Sequence, residues 1–125
     1  MQTVLVVDDE TNIRHMLRVM LEMSGYRVIE ARDGVQALET AVEAKPDLII
    51  LDIMMPKLDG YSVCKQLRDN HSVRNIPILM MSGDNATRQN QLEFERCADQ
   101  FLRKPFQFDQ LLAHITHLLK TPAQI

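Results

Sequence analysis

Short apolar runs alternate with segments whose apolar residues recur every three or four positions, and this alternation continues along the whole chain of 125 residues. Runs rich in Val, Ile and Leu read as strands, and the wider spacing reads as helices. Thr3–Asp8 predicts a first strand, and Ile13, Leu17, Met20 and Leu21 predict a helix that Gly25 is placed to end. Arg27–Ala31 predicts a short second strand. Asp33, with Gln36 three residues on, predicts the cap of a second helix whose apolar face is Val35, Leu38, Ala41 and Val42. Pro46 precedes a third strand, Asp47–Asp52, and residues 54–60 form a loop rich in turn residues. Val63, Cys64 and Leu67 are the expected buried positions of a third helix. Pro77 precedes a fourth strand, Ile78–Ser82. Asn85–Arg96 is the weakest helix, with only Leu92 and Phe94 clearly apolar. Ala98–Leu102 predicts a fifth strand, and Leu111, Leu112, Ile115, Leu118 and Leu119 mark the last helix.

Alternation of this kind calls for a parallel sheet with helices on both faces. Strands one, three and four are apolar at successive positions, as strands covered on both sides must be. Strand two carries Arg27 and Glu30 and suits an edge. The expected fold is therefore α/β, a doubly wound five-stranded parallel sheet in the order 2-1-3-4-5. Its ligand site lies at the carboxyl ends of strands one and three, where the winding reverses.

Composition narrows the function. A hydrophobic fraction of 46% and a charged fraction of 25% describe a globular chain. Net charge is −3 and the basic residues form no stripe, so nucleic-acid binding by this chain is not expected. No apolar stretch is long enough to span a bilayer, and the N-terminus lacks the basic region of a signal peptide, which points to a cytoplasmic protein. Cys64 and Cys97 are far apart and form no C-x-x-C pair; the expectation is two buried free thiols.

The candidate chemistry lies where the predicted strands end. Strand one runs into Asp8 and Asp9, strand three ends at Asp52, strand four ends at Ser82 beside Gly83, and strand five is soon followed by Lys104 and Pro105. In the expected sheet these ends share one edge. Three carboxylates brought together repel unless a proton or cation intervenes, and oxygen-only ligands favour Mg²⁺. A plainer reading makes Asp8 and Asp9 an acidic N-cap for the first helix. Asp52 weakens that reading, because no helix starts directly after it. Ser82 could equally be a turn residue and Lys104 a solvated surface charge, but Gly83 would leave a backbone N–H open to an anion.

VLVVDDE (Val4–Glu10), LIILDIMMPKLDG (Leu48–Gly60), ILMMSGD (Ile78–Asp84) and ADQFLRKPF (Ala98–Phe106) together resemble the receiver domain of two-component response regulators. The resemblance implies a flavodoxin-like (βα)5 receiver domain over residues 1–120, with 121–125 a tail or linker stub. It implies a cytoplasmic signalling domain rather than an enzyme, one that assists its own phosphorylation and dephosphorylation. Asp52 is then the phosphoacceptor. Mg²⁺ (or Mn²⁺) is held by Asp9 directly, by Asp8 mainly through water, by Asp52 and by the backbone carbonyl of Met54. Ser82, Lys104 and the Gly83 backbone contact the phosphoryl oxygens, and the Lys104–Pro105 peptide is cis. Ser82 and Phe101 carry the switch to a face built from the fourth helix, fifth strand and last helix. The implied partners are a sensor histidine kinase or phosphotransfer protein, and a downstream protein or an output domain. No membrane partner is implied, and the chain is a monomer or weak dimer.

Phosphoryl transfer itself asks for positioning and charge cancellation rather than covalent chemistry from the protein. A carboxylate acceptor gives a labile acyl phosphate, which suits a transient signal. Two other readings fit part of the sequence. A Mg²⁺-dependent phosphatase with an aspartate nucleophile would carry a second acid where Met54 stands. A pseudo-receiver acting only by contact would not need the full set Asp8, Asp9, Asp52, Ser82 and Lys104. Departures from the family pattern concern the output face. Cys97 stands where glycine is common, which predicts strain if the backbone there is left-handed. Gln110 and His114 stand where winged-helix regulators carry Glu and Arg, which weakens the case for a charged dimer. His15, His71, His114 and His117 read as surface histidines.

Overall fold

Strands β1 (Thr3–Val7), β2 (Arg27–Ala31), β3 (Leu48–Asp52), β4 (Ile78–Ser82) and β5 (Gln100–Arg103) alternate with helices α1 (Thr11–Met23), α2 (Gly34–Ala44), α3 (Gly60–Asp69) and α4 (Phe108–Leu119). This is a computed structural model, which describes residues 1–55, 58–83 and 97–119. The strands form one parallel sheet in the order β2-β1-β3-β4-β5, as expected. The helix expected over 85–96 and the tail at 121–125 lie outside the described residues.

The order follows from the strands themselves. Every residue of β3 and β4 is buried, and β1 is buried after Thr3, whereas β2 opens on exposed Arg27. Alternate side chains feed two cores. Leu5, Val7, Ile49, Leu51 and Met80 pack with Ala37 and Ala41 of α2 and Val63 and Leu67 of α3. Val4, Val6, Leu48, Ile50 and Met81 pack with Leu17 and Leu21 of α1 and Leu111 and Ile115 of α4. Each large side chain buried this way contributes about 1.5–3 kcal/mol, and most helical stability comes from such packing rather than from propensity.

α2 turns inward only part of the face its sequence suggests: Ala41 is buried and Leu38 packs against the core, but the two valines are not buried. Gly34, Ala37 and Ala41 are buried, while Val35 is 51% and Val42 40% exposed. A Cβ at Gly34 would stand 2.7 Å from Val63 Cγ2 and 2.8 Å from the Leu58 carbonyl oxygen. The helix therefore approaches α3 on its smallest residues, and the valines rotate outward. Asp33 caps α2 as expected, accepting from the Gln36 N–H at 2.8 Å, and the Gln36 side chain accepts from the Arg32 N–H at 2.8 Å. β5 starts at Gln100 rather than Ala98, because its ladder with β4 runs from Leu79–Gln100 to Ser82–Arg103.

The cysteines are not free thiols. Cys64 on α3 and Cys97 ahead of β5 form a disulfide, with Cα atoms 6.1 Å apart across a separation of 33 residues. Sequence spacing could not pair them; only the packing of the two elements does. Nor is Cys97 left-handed, since Lys45 is the one non-glycine with positive φ among the described residues. The strain expected from the missing glycine therefore does not arise. Arg68, one turn after Cys64, fastens the same region. Its guanidinium donates to the carbonyls of Cys97 (2.9 Å), Arg74 (2.8 Å) and Ile76 (2.8 Å), and it pairs with Asp99 at 2.7 Å.

Candidate functional site

Parallel pairing in register brings the carboxyl ends of β1, β3, β4 and β5 to one edge. Asp8 follows β1 and is fully buried, Asp52 ends β3 and is 4% exposed, and Ser82 ends β4 and is 8% exposed. Asp9 is exposed at the rim. One carboxylate oxygen from each of Asp8, Asp9 and Asp52 lies within 4.8 Å of the others. The Lys104 ammonium reaches into this group, 3.2 Å from Asp8 Oδ2 and 3.5 Å from Asp52 Oδ2. Its backbone is held to β4 by a hydrogen bond from the Lys104 N–H to the Ser82 carbonyl, at 2.7 Å. The Lys104–Pro105 peptide is cis, as expected.

Asp8 and Asp9 do not cap α1. The cap position falls on Glu10, and no side chain caps the helix. The Asp8 carboxylate instead accepts from the Glu10 N–H at 2.9 Å and turns its other oxygen to Lys104. Arg14 donates to the Asp8 carbonyl at 2.6 Å, which ties the aspartate's backbone to α1. Asp52 accepts from the Met54 N–H at 3.2 Å.

Burial pushes the Asp52 carboxyl up to about 6, and the nearby Asp8 charge adds to the rise; Lys104 and the Met54 N–H oppose it. Burial also works against the Lys104 charge, but Asp52 and Asp8 outweigh it and hold the ammonium's pKa above its usual value. Lys104→Met should therefore drive the Asp52 pKa above about 6, read by carboxyl NMR titration in a metal-free buffer. An Asp52 pKa unmoved by the substitution would show that the two groups are not coupled.

The cluster fits a divalent cation. Three carboxylates meet one ammonium, and two negative charges remain. All donors are oxygen, the set that suits Mg²⁺ or Mn²⁺ rather than zinc or copper. The histidines take no part in such a group: the Asp8, Asp9 and Asp52 cluster is the one found among the described residues.

Beside the carboxylates, a cavity of about 380 Å³ is lined by Ile13, Met16, Gly83, Lys104, Pro105 and Phe106. A Cβ at Gly83 would meet nothing within 4 Å, so the backbone there is open on that side. Phe101 is half-buried on β5 and packs against the core formed with α2 and α3. Met54, expected to offer its carbonyl, is a 60% exposed residue. On α4, His114 is half-buried rather than on the surface, and its Nδ1 meets Gln100 Oε1. Gln110 is spent locally, its side-chain oxygen accepting from the Gln107 N–H at 2.9 Å.

Two positioning residues had no signal in the sequence pattern. Arg14 sits beside the apolar face of α1, where a surface charge is ordinary. Gly60 begins α3 directly against β3, and its N–H donates to the Ile53 carbonyl at 3.0 Å. A Cβ there would stand 2.6 Å from the Asp52 carbonyl oxygen and 2.8 Å from Ile53 Cα. Its hints in the sequence were its place in a turn-rich loop and at the end of the matching run Leu48–Gly60.

Residues 4–116 match the response regulator receiver domain family. The chain is 45% identical over 117 residues to the alkaline phosphatase synthesis transcriptional regulatory protein PhoP of Bacillus subtilis, covering 94% of this chain and 48% of that protein. It is 38% identical over 125 residues to the DNA-binding dual master transcriptional regulator RpaA of Synechocystis sp., covering 100% of this chain and 52% of that protein. The chain thus spans about half the length of these curated relatives. Among solved structures, the chemotaxis protein CheY4 of Vibrio cholerae superposes with a TM-score of 0.88 at 35% identity, covering 95% of this chain and 99% of that one.

Proposed function

The chain belongs to the response regulator receiver domain family, and from that premise we propose that Asp52 accepts a phosphoryl group from a phosphohistidine on a sensor histidine kinase or phosphotransfer protein. One observation carries this assignment: Asp52 is buried at a strand end between a second buried carboxylate and the Lys104 ammonium, 3.5 Å away. An ordinary surface aspartate has no such surroundings.

The Asp52 carboxylate is the nucleophile, so it must be ionised when the donor arrives. Lys104 neutralises charge on the incoming phosphoryl group. The Ser82 hydroxyl and the Gly83 N–H take other phosphoryl oxygens, supported by the position of Ser82 at the end of β4 and the open backbone beside it. Asp8, Asp9, Asp52 and the Met54 carbonyl would hold Mg²⁺ or Mn²⁺. When bound, the cation neutralises the carboxylates and one phosphoryl oxygen together. Asp8 keeps Lys104 aimed into the site, and Arg14 keeps Asp8 in place. The apolar cavity beside Lys104 gives the donor protein a surface to rest on.

Phosphorylation adds about −1.5 to −2 charges at this edge. Ser82 is the residue that answers it, and its carbonyl bond to the Lys104 N–H links the end of β4 to the residues just after β5. Phe101 on β5 then reports the change to the face that includes α4, for a downstream protein or an output domain. Because Gln110 and His114 are bonded within the domain, this face supports a monomer or weak dimer rather than a charged dimer.

The test is intact mass after incubation with acetyl phosphate and Mg²⁺. One phosphoryl group is expected, lost when the metal is chelated, and beryllium fluoride with Mg²⁺ should shift the amides of Ser82 and Phe101. Absence of any adduct would reduce the domain to a contact module. Steady turnover of small phosphate esters would make it a phosphatase.

A further inference from the structure

We propose that Cys64 and Cys97 are a reversible thiol–disulfide modification site, through which the surrounding redox state sets how freely the start of β5 moves. Three observations carry this. The fold alone brings the pair together, with Cα atoms 6.1 Å apart across 33 residues. Their accessibilities differ: Cys64 is fully buried on α3, whereas Cys97 is only half-buried. Cys97 is therefore the residue a reagent meets first, leaving Cys64 to complete the exchange. The Arg68 guanidinium, bonded to the Cys97 carbonyl at 2.9 Å, holds the outer cysteine's backbone beside α3 independently of the sulfur bond, so the pair stays close enough to re-form it.

The chemistry needs a low-molecular-weight disulfide as oxidant. The Cys97 thiolate attacks one sulfur of that disulfide, forming a mixed disulfide and releasing one thiolate. The Cys64 thiolate then attacks the Cys97 sulfur, closing the Cys64–Cys97 bond and releasing the second thiolate. The protein loses two electrons and two protons, and the oxidant becomes two thiols. Excess thiol runs the same steps backward.

Opening the bond does not release the domain's fold. Arg68 joins α3 to Cys97, Arg74, Ile76 and Asp99 without it, and the Asp99 carboxylate also accepts from the Ile78 N–H at 2.8 Å. What the bond adds is a covalent stop on residue 97, three residues before β5 and four before Phe101. Cys97 precedes β5 and Lys104 follows it, so the bond holds the opposite end of the strand from the lysine. The closed form is expected to damp the Phe101 response to phosphorylation; this second effect rests on the phosphoacceptor reading above.

The whole chain is equilibrated in glutathione buffers of graded ratio and quenched by alkylation. Intact mass should show two free thiols at the reducing end and none at the oxidising end, with one midpoint between and no urea required. Amide exchange at Gln100–Arg103 should lose protection on reduction, and Cys97→Ser and Cys64→Ser should show the reduced pattern in every buffer. Beryllium fluoride with Mg²⁺ should then shift the Phe101 amide less in the oxidised protein than in the reduced one. Failure of the bond to form or open without denaturant, or exchange at β5 equal in both forms, would overturn the inference. Redox-dependent exchange with no acetyl phosphate adduct in either form would instead uphold the redox site and defeat the phosphoacceptor reading. A Phe101 shift of the same size in both forms would overturn the damping.

Discussion

Asp52→Asn is expected to abolish phosphoryl uptake and to make the domain more stable at neutral pH. The expected loss of uptake follows from the proposed role of Asp52 as the nucleophile. The gain in stability follows from the Asp52 pKa, raised in the folded protein to about 6 from a usual value of 3.8. Between those values the folded state holds a proton that the unfolded state has released. Stability contributed by the neutral carboxyl is therefore lost as pH rises through about 6. Above that pH the wild type carries a buried carboxylate beside Asp8, and the amide does not. Two pKa units correspond to roughly 2–3 kcal/mol, or a Tm rise of roughly 10 °C for a domain of this size. Urea unfolding with a chelator present should show the variant more stable at pH 7.5, with the difference shrinking toward pH 4.5. Equal stability at pH 7.5 would mean that the carboxylates do not repel as their spacing implies. Saturating Mg²⁺ should narrow the gap by stabilising the wild type alone, since ligand binding to the folded state adds to its stability.

Gly60→Ala is expected to damage both fold and function although it changes no charge. The added methyl would lie 2.6 Å from the Asp52 carbonyl oxygen and 2.8 Å from Ile53 Cα, both backbone atoms that cannot turn aside. α3 is also pinned at this end, because Asp59 accepts from the Ser62 N–H at 2.8 Å and Gly60 donates to Ile53. Either α3 withdraws or the end of β3 shifts, at a cost of about 3 kcal/mol. Urea unfolding would measure that cost. Uptake from acetyl phosphate, assayed under conditions where the variant remains folded, should slow as Asp52 is displaced. Gly83→Ala is the control: its Cβ meets no atom within 4 Å, so stability should stay within about 0.5 kcal/mol. A Gly60→Ala variant that matched this control would show that α3 can yield without cost.

The same contrast runs through the comparison of sequence with structure. The strands and their order were legible because a run such as Leu48–Asp52 must be covered on both faces, and few topologies cover it. The carboxylate cluster was legible because the residues of interest stand at the ends of those strands, where parallel pairing aligns them. The positioning roles of Gly60 and Arg14 were not legible, since a loop glycine and a helix arginine are ordinary until a neighbour's backbone is located. The face of α2 was half legible for a related reason. Hydrophobicity marked Leu38 and Ala41, which do pack inward, but also Val35 and Val42, where distance to α3 favoured the smaller Gly34 and Ala37 instead. Cys64 and Cys97 look like isolated thiols in sequence because nothing local records that α3 and the residues before β5 lie together.

By itself, then, the sequence determined the alternation of elements, the parallel sheet and the identity of the polar residues at its carboxyl edge. These depend on periodicity and on which side chains water rejects, properties that each segment carries alone. Only the tertiary structure decided that Asp8 faces Lys104 rather than capping α1, that Asp52 is buried enough to hold its proton up to about pH 6, and that the two cysteines are joined. Those outcomes depend on distances between segments far apart in the chain, and at a few ångströms burial and charge outweigh local preference.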